Sequence, residues 1–557
     1  MTAAHLPDML RALAAILLVS AVGCAPTTIA DDPNDQPPTL EVMTPQRGTQ
    51  AQGSQVTVSG RVTDDKPGVK VKINGIEVAP AADGSFSASI DVPAGVSIIE
   101  THAIDSKGND LRDARAVMAG SLAPTDGSLA SPLAASISAP ALATIGSVLA
   151  TQAEAIDFTA AAMAMNPIYS NTGCLGAVLD VQSVSLSNID VGLVPAAGAL
   201  EAAVTIDDVA IVLKAKYKVA CIGGSTTIRV TSSKARINGA LAIAVQGGAL
   251  ATSLPSSSVQ LDGFGLDIGG IPGALESLVR GEARKAAEKA LTEVIRDQVP
   301  PMANDAFANV LAKPFSTSLF GHATTLAITP GQVTLSPSGL FVAVDTKVAV
   351  AGGEGGMFVQ QSGPVSQTMM SASGVGVAIA NDTVNQLFAG LWAAGALEQD
   401  VGLDSIPGLG AILDDDAASL SIELLLPPTV GDGSGALELS IGDMILDVKD
   451  ASGTTIQNIA MSLRTSLDVV PSQTGGIRLT AGQPEIFAQM LVQTEAVDRP
   501  LTDMQFEGIV SGAWGLVAGQ ANKALEAVPL PSVAGVTLGA PTVDGRDGFL
   551  IADVPLQ

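Results

Sequence analysis

From Val209 to Cys221 every second residue is apolar or small: Val209, Ile211, Leu213, Ala215, Tyr217, Val219 and Cys221. Side chains alternate across a sheet, so one parity held this long specifies a long strand with a single buried face. Ile228 and Val230, then Leu241, Ile243 and Val245, continue the same period. An apolar sheet face must be covered by another layer, and this demand shapes the rest of the chain. The composition can meet it. Of 557 residues, 47% are hydrophobic and only 15% charged, which excludes a disordered chain. With 55 acidic against 28 basic residues, the net charge of -27 argues against a nucleic-acid partner.

A mean hydropathy of +0.39 raises the question of a membrane span. The longest apolar run covers residues 12–22 behind Arg11, too short to cross a bilayer and of the length of a secretory signal. Ala21, Gly23 and Cys24 resemble the lipobox of bacterial lipoproteins, with Asp8 and Ala21 as departures. The resemblance implies a signal peptide over 1–23, cleavage before Cys24 and acylation of Cys24, which anchors without a transmembrane helix. Ala25 follows Cys24 where some inner-membrane lipoproteins carry Asp, so the expectation is an outer-membrane anchor. Residues 24–38, rich in Pro and Asp, read as a tether. In an exported chain the remaining pair, Cys174 and Cys221, is expected to form a disulfide between two strands, the alternative being two buried thiols.

Residues 39–120 carry short period-two runs and strong turn signals: Val69, Val71 and Ile73 precede Asn74-Gly75, and Phe86, Ala88 and Ile90 follow Ala82-Asp83-Gly84. With Ser-Gly-Arg-Val-Thr-Asp at 59–64 and Ala-Ile-Asp-Ser-Lys-Gly-Asn at 103–109, this resembles bacterial immunoglobulin-like modules, expected here as a spacer. Residues 121–137 are expected as a linker.

The remainder divides into halves at 138–315 and 316–557. Helical stripes appear at Leu142, Ile145 and Leu149, and at Leu275, Leu278 and Leu291 within a long helix over 272–312. A further stripe, Val384, Leu387, Phe388 and Leu391, sits between a capping Asn381 and a stop at Gly395. Another amphipathic helix is expected over 503–526. The run from Ile379 to Leu397 and the closing segment with Pro529-Leu530-Pro531, Gly535-Val536-Thr537-Leu538 and Gly548-Phe549-Leu550 are similar to the tubular lipid-binding superfamily. That superfamily includes bactericidal/permeability-increasing protein and lipid-transfer proteins. The resemblance implies an α+β fold after the all-β sandwich: two barrels, each a curved antiparallel sheet wrapped around a long helix. It implies a phospholipid or other acyl-chain lipid held between helix and sheet, with the stripe residues as its lining. The rival reading is a structural or adhesive surface lipoprotein with filled barrels.

Val209 to Gln260 contains no acidic residue but carries Lys214, Lys216, Lys218, Arg229, Lys234 and Arg236. These six are expected to contact anionic headgroups, or else to form a solvated lysine face. Signals of catalysis are sparse. After signal removal only His102 and His322 remain, and no Gly-x-Ser-x-Gly elbow is present. Gly431-Asp432-Gly433-Ser434-Gly435 precedes strand-like sequence and reads as a turn; Asp414-Asp415-Asp416 lacks a calcium-loop pattern. The expectation is therefore a non-enzyme with no cofactor and no metal.

Overall fold

The computed structural model describes residues 36–269 and 315–556, except 156, 220, 371–372, 404–412, 434–435, 472–475, 496, 525–527, 530–538 and 540, together with 288, 292, 300, 301 and 304. Cys24, Leu275, Leu278, Leu291 and most of the helix expected over 272–312 lie outside the described residues.

The N-terminal module is a two-sheet sandwich. One sheet orders Thr39–Thr44, Gln55–Thr63 and Ser85–Asp91; the other orders Thr49–Gln52, Asp110–Pro124, Gly95–Ile104, Lys70–Ile73 and Ile76–Val78. Val56, Val58, Val62, Phe86 and Ile90 from the first meet Val71, Ile73, Ile99, Ala103 and Val117 from the second. Asn74 and Gly75 both have positive φ, at 47° and 80°, as a tight hairpin turn demands.

Residues 121–137 are not a linker. Asp110–Pro124 runs on beyond the sandwich, and Leu129–Ser138 is an inner strand of a seven-stranded antiparallel sheet. Gly339–Val350 flanks it on one side and Val375–Ala380 on the other, with Phe549–Val554 beyond. The fully buried face of Leu129–Ser138 is small, with Ala134, Ser136 and Ser138, while Leu133 and Ile137 are half-buried on the other face. The segment read as a linker thus shares one sheet with strands from the start, the middle and the end of the second half.

Each half adds a curled antiparallel sheet. In the first lobe Ala199–Val219 pairs along its whole length with Ile222–Gln246. Its other edge takes Ile189–Ala196 and then Leu175–Ser185. Register shifts at Val181/Ser183 and Ala240/Ala242 mark where the pairing bends. In the second lobe Thr455–Pro471 is likewise flanked on one edge by Glu485–Gln493 and then Gly476–Ala481.

The described helices are α1 (Ala139–Glu154), α2 (Phe158–Ala164), α3 (Asn381–Ala393) and α4 (Asp503–Ala524). The chain is mostly β, and among the described residues no sheet wraps a long helix. This corrects the expected α+β pair of helix-filled barrels. The physical reason is visible in the second lobe. Leu420, Ile422, Met444, Leu446, Val448, Ile459, Met461 and Leu463, from three adjacent strands, belong to one buried core. A curled sheet covers much of its own apolar face, so no helix is required through the middle. Helix α4 adds Phe506, Val510 and Trp514 to this core from the side of Gly476–Ala481 and Glu485–Gln493. Thr502 and Gln505 form a reciprocal capping box at its start.

Candidate functional site

The first-lobe sheet is less completely covered than the second. Val181, Leu213, Ala215, Ile228 and Leu266 are buried. Around them Leu179, Val184, Ile211, Val230, Phe264 and Ile268 are only partly buried. Farther along the same strands, Ile237, Leu241, Ile243 and Val245 are also half-buried. The second-lobe core, by contrast, is continuous from Val401 to Trp514. An apolar face left half-covered is a surface on which hydrocarbon gains by burial.

Helix α1 lies against Ile189–Ala196 at very close range. A Cβ built on Gly146 would stand 2.5 Å from the Val191 carbonyl oxygen, so only glycine allows this approach. Gly146→Val is expected to lift α1 from the strand at a cost of about 2 kcal/mol, within the range for overpacking. Urea unfolding, with a fall in midpoint, checks this. The expected stripe on α1 does not face one pocket: Leu142 is buried, Ile145 half-buried and Leu149 exposed.

The six cations of the acid-free stretch occupy one sheet but are largely answered by neighbouring strands. Lys214, Lys216 and Lys218 are exposed and alternate with Leu213, Ala215 and Tyr217. Lys216 Nζ is 3.8 Å from Asp180, Lys234 Nζ 3.2 Å from Asp207, and Arg236 Nη1 2.6 Å from Asp262. Arg229 stands opposite Asp267 in register. The run free of acids in sequence is therefore not free of acids in space. Lys218, opposite Gly176 and Gly223, lies at the end of the sheet.

That end is tied by a disulfide between Cys174 and Cys221. Cys221 N also donates to Cys174 O at 3.1 Å, one step beyond the Leu175–Val219 pair. The bridge joins two adjacent strands of one sheet, as the cysteine arithmetic implies. Ile222, next to it, is 76% exposed. Met163, Met165, Ile168 and Tyr169, in the segment leading into the same sheet, are exposed as well. Large apolar groups and lysines thus occur together on this lobe's surface.

Helix α3 differs from the expected lipid lining. Leu391 is buried, but Val384, Leu387 and Phe388 are only half-buried. The fully buried face is polar in its first two turns, with Asn381, Asp382, Asn385 and Gln386, and small or apolar after them, with Ala389, Gly390 and Leu391. Asn385 Nδ2 donates to Val430 O at 3.0 Å, and Val430 N donates to Asn385 Oδ1 at 2.7 Å. Gln386 Nε2 donates to Thr125 O and Gly127 O, at 2.9 and 2.7 Å. Asp382 accepts from Gln361 N at 2.7 Å and from Ser362 N. Burial pushes the Asp382 carboxyl above the usual carboxylate range, against the lowering by those amides. Asn381 is the first helical residue rather than the cap, which is Ala380; its amide donates to Asp432 Oδ1 at 3.3 Å. Gly395, at φ 70°, ends the helix as expected, with Ala396 N donating to Leu391 O.

The sandwich module is docked on the second lobe rather than standing off as a spacer. Arg47 Nη1 donates to Asp443 Oδ1 at 2.7 Å and to Ala114 O at 2.8 Å, and Arg47 also reaches Gln489 Oε1. Gly48 N donates to Asp443 Oδ2 at 3.0 Å. Asp443 is fully buried, and desolvation pushes its carboxyl up despite Arg47. Arg112 bonds Glu507 on α4 and donates to Ala488 O at 2.8 Å. Ala116, Met118, Val359 and Leu426 form an apolar cluster across the seam.

Among the described residues no group of three metal-binding side chains is assembled, and no helix is long and apolar enough to cross a membrane. Asp414, in the acidic turn, is fully buried and accepts from Asp416 N and Asp498 N.

Residues 38–120 match the sequence family of domain B of glucodextranase, an immunoglobulin-like module, in agreement with the sandwich. No curated protein matches the chain in sequence. Among solved structures the chain is similar to a lipopolysaccharide binding protein at 12% identity and a TM-score of 0.44, over 77% of this chain and 99% of that one. It is also similar to P47 from Clostridium botulinum A2, at 9% identity and a TM-score of 0.28, over 76% of this chain and 97% of that one.

Proposed function

We propose that this protein is an exported, lipid-anchored lipid-binding protein that holds an acyl chain along the apolar face of its first-lobe sheet. The observation that carries the reading is the half-buried apolar face on strands of 21 and 25 residues, beside a second lobe whose core is closed. Each buried methylene contributes about 0.8 kcal/mol, so a fatty-acyl chain has ample gross driving force against its ordering cost. Binding of this kind needs no nucleophile, metal or cofactor. The acylated Cys24 would hold the chain at the outer membrane, and the lysine-bearing end of the first lobe would meet anionic headgroups. Exposed Ile222 and the methionines nearby support that orientation, because apolar side chains beside cations suit a membrane interface.

Native mass spectrometry of the gently purified full chain tests the reading, together with uptake of labelled phosphatidylglycerol. Co-purifying lipid and saturable uptake are expected. Replacing Lys214, Lys216 and Lys218 with Gln is expected to weaken binding to anionic vesicles about tenfold or more at low salt, while leaving lipid capacity intact. A protein that neither carries nor takes up lipid would remove the proposal.

A further inference from the structure

A cavity opens where the long strand Asp110–Pro124 leaves the sandwich module and turns into Leu129–Ser138. Asp126 and Glu354 stand at its mouth, both exposed, with exposed Lys347 on the same rim. Thr125, Gly353 and Gln386, all buried, line its floor. It measures about 40 Å³, room for about three waters or one partly hydrated ion.

Local bonds hold these groups together. Gln386, on α3, donates through Nε2 to the carbonyls on either side of Asp126, those of Thr125 and Gly127. Thr125 Oγ1 donates to Gly353 O at 2.9 Å, which fixes the residue before Glu354. The run Ala351-Gly352-Gly353-Glu354-Gly355-Gly356 carries one long side chain among four glycines. A Cβ on Gly353 would stand 2.3 Å from Gly390 O, so this loop lies directly on α3. The Asp126 turn and the Glu354 loop are thus both anchored on the helix that carries Gln386.

Gln386 is 1% exposed, and its Oε1 has no hydrogen-bond partner although Nε2 has two. Among the described residues neither Asp126 nor Glu354 has an ion-pair partner. A buried carbonyl oxygen without a donor is costly, and two carboxylates around one small cavity repel each other. One cation relieves both. Two carboxylates on turns and a neutral amide oxygen, completed by water, make an irregular all-oxygen set that suits calcium, whereas magnesium demands near-ideal octahedral geometry. Lys347 opposes the cation, but its exposed side chain has solvent to turn into. With two carboxylates and one lysine the site belongs to the weak class, with a Kd of about 10⁻⁴–10⁻³ M, as in extracellular modules. We propose that Asp126, Glu354 and Gln386 bind a calcium ion that pins the junction between the sandwich module and the second lobe. This does not depend on the lipid-binding reading.

The test titrates the full chain with calcium chloride, and separately with magnesium chloride, by isothermal calorimetry at low salt, with the thermal midpoint read in parallel. Saturable calcium binding and a rise in midpoint are expected. Asp126→Asn and Glu354→Gln, at exposed positions, are each expected to weaken calcium binding about tenfold. Lys347→Met is expected to strengthen it about threefold or more by removing a like charge. No calcium binding up to about 10 mM, well above the Kd of this class, overturns the proposal. So does calcium binding undiminished in the Asp126→Asn, Glu354→Gln double variant, since the ion would then sit on other carboxylates of this acidic chain. If Lys347→Met lowers stability and leaves calcium binding unchanged, the lysine is the carboxylates' own partner and the proposal fails. An equal response to magnesium overturns the assignment to calcium.

Discussion

Asp443→Ala is expected to lower stability by about 3–5 kcal/mol and to release the sandwich module from the second lobe. The carboxylate is fully buried, and its two oxygens take a guanidinium N–H from Arg47 and the backbone N–H of Gly48. Removing it leaves the Arg47 charge, only 13% exposed, facing a hole where its counter-charge stood. Ala114 O and Gln489 Oε1 still accept from Arg47, yet neither carries a charge. The double replacement Arg47→Met with Asp443→Leu removes both charges. It is expected to recover much of the loss, because well-packed apolar groups often match a buried ion pair. Limited proteolysis and hydrogen exchange at Gly48 and Ala114 read out release of the module, separately from global unfolding. If Asp443→Ala and the double replacement are equally mild, the pair adds little and the apolar cluster of Ala116, Met118, Val359 and Leu426 holds the seam instead.

What the sequence disclosed and what it hid divide along one line. Features set by neighbours in the chain were readable. The alternation from Val209 to Cys221 became part of the strand Ala199–Val219; Asn74-Gly75 became a hairpin turn; Gly395 stopped α3; and two cysteines in alternating stretches became a bridge. Features set by partners distant in sequence were not. Asp180, Asp207 and Asp262 lie outside the acid-free run yet stand beside its cations, because antiparallel pairing places them there. Arg47 and Asp443 are 396 residues apart, and no local pattern links them. Residues 121–137 looked like a linker because their strand period is built largely on Ala and Ser, residues that are also common in loops. The helix-filled barrels failed for a related reason. Periodicity tells where a helix or strand forms and which face is apolar, but not whether a sheet curls far enough to cover itself.

Helix α3 shows the same limit at one position, and it yields the second large effect. Asn385→Leu is expected to cost about 3 kcal/mol, more than Phe388→Ala on the apolar stripe of the same helix. The Asn385 amide closes a two-bond ring with the Val430 backbone, and both residues are buried. Leucine fills the space and leaves both Val430 groups without a partner, each costing about 1–3 kcal/mol. Asn385→Ala is expected to cost less than Asn385→Leu, since a smaller side chain admits a water that can bridge to the Val430 groups. Phe388 is only half-buried, so its truncation loses about 1–2 kcal/mol of burial. Chemical denaturation of the three variants ranks them. If Phe388→Ala is the most damaging, α3 is held by its apolar stripe after all. If Asn385→Leu is, the helix is positioned by side-chain amides that stand in for missing strand partners, and its place between Val430, Thr125 and Gly127 follows from hydrogen bonding.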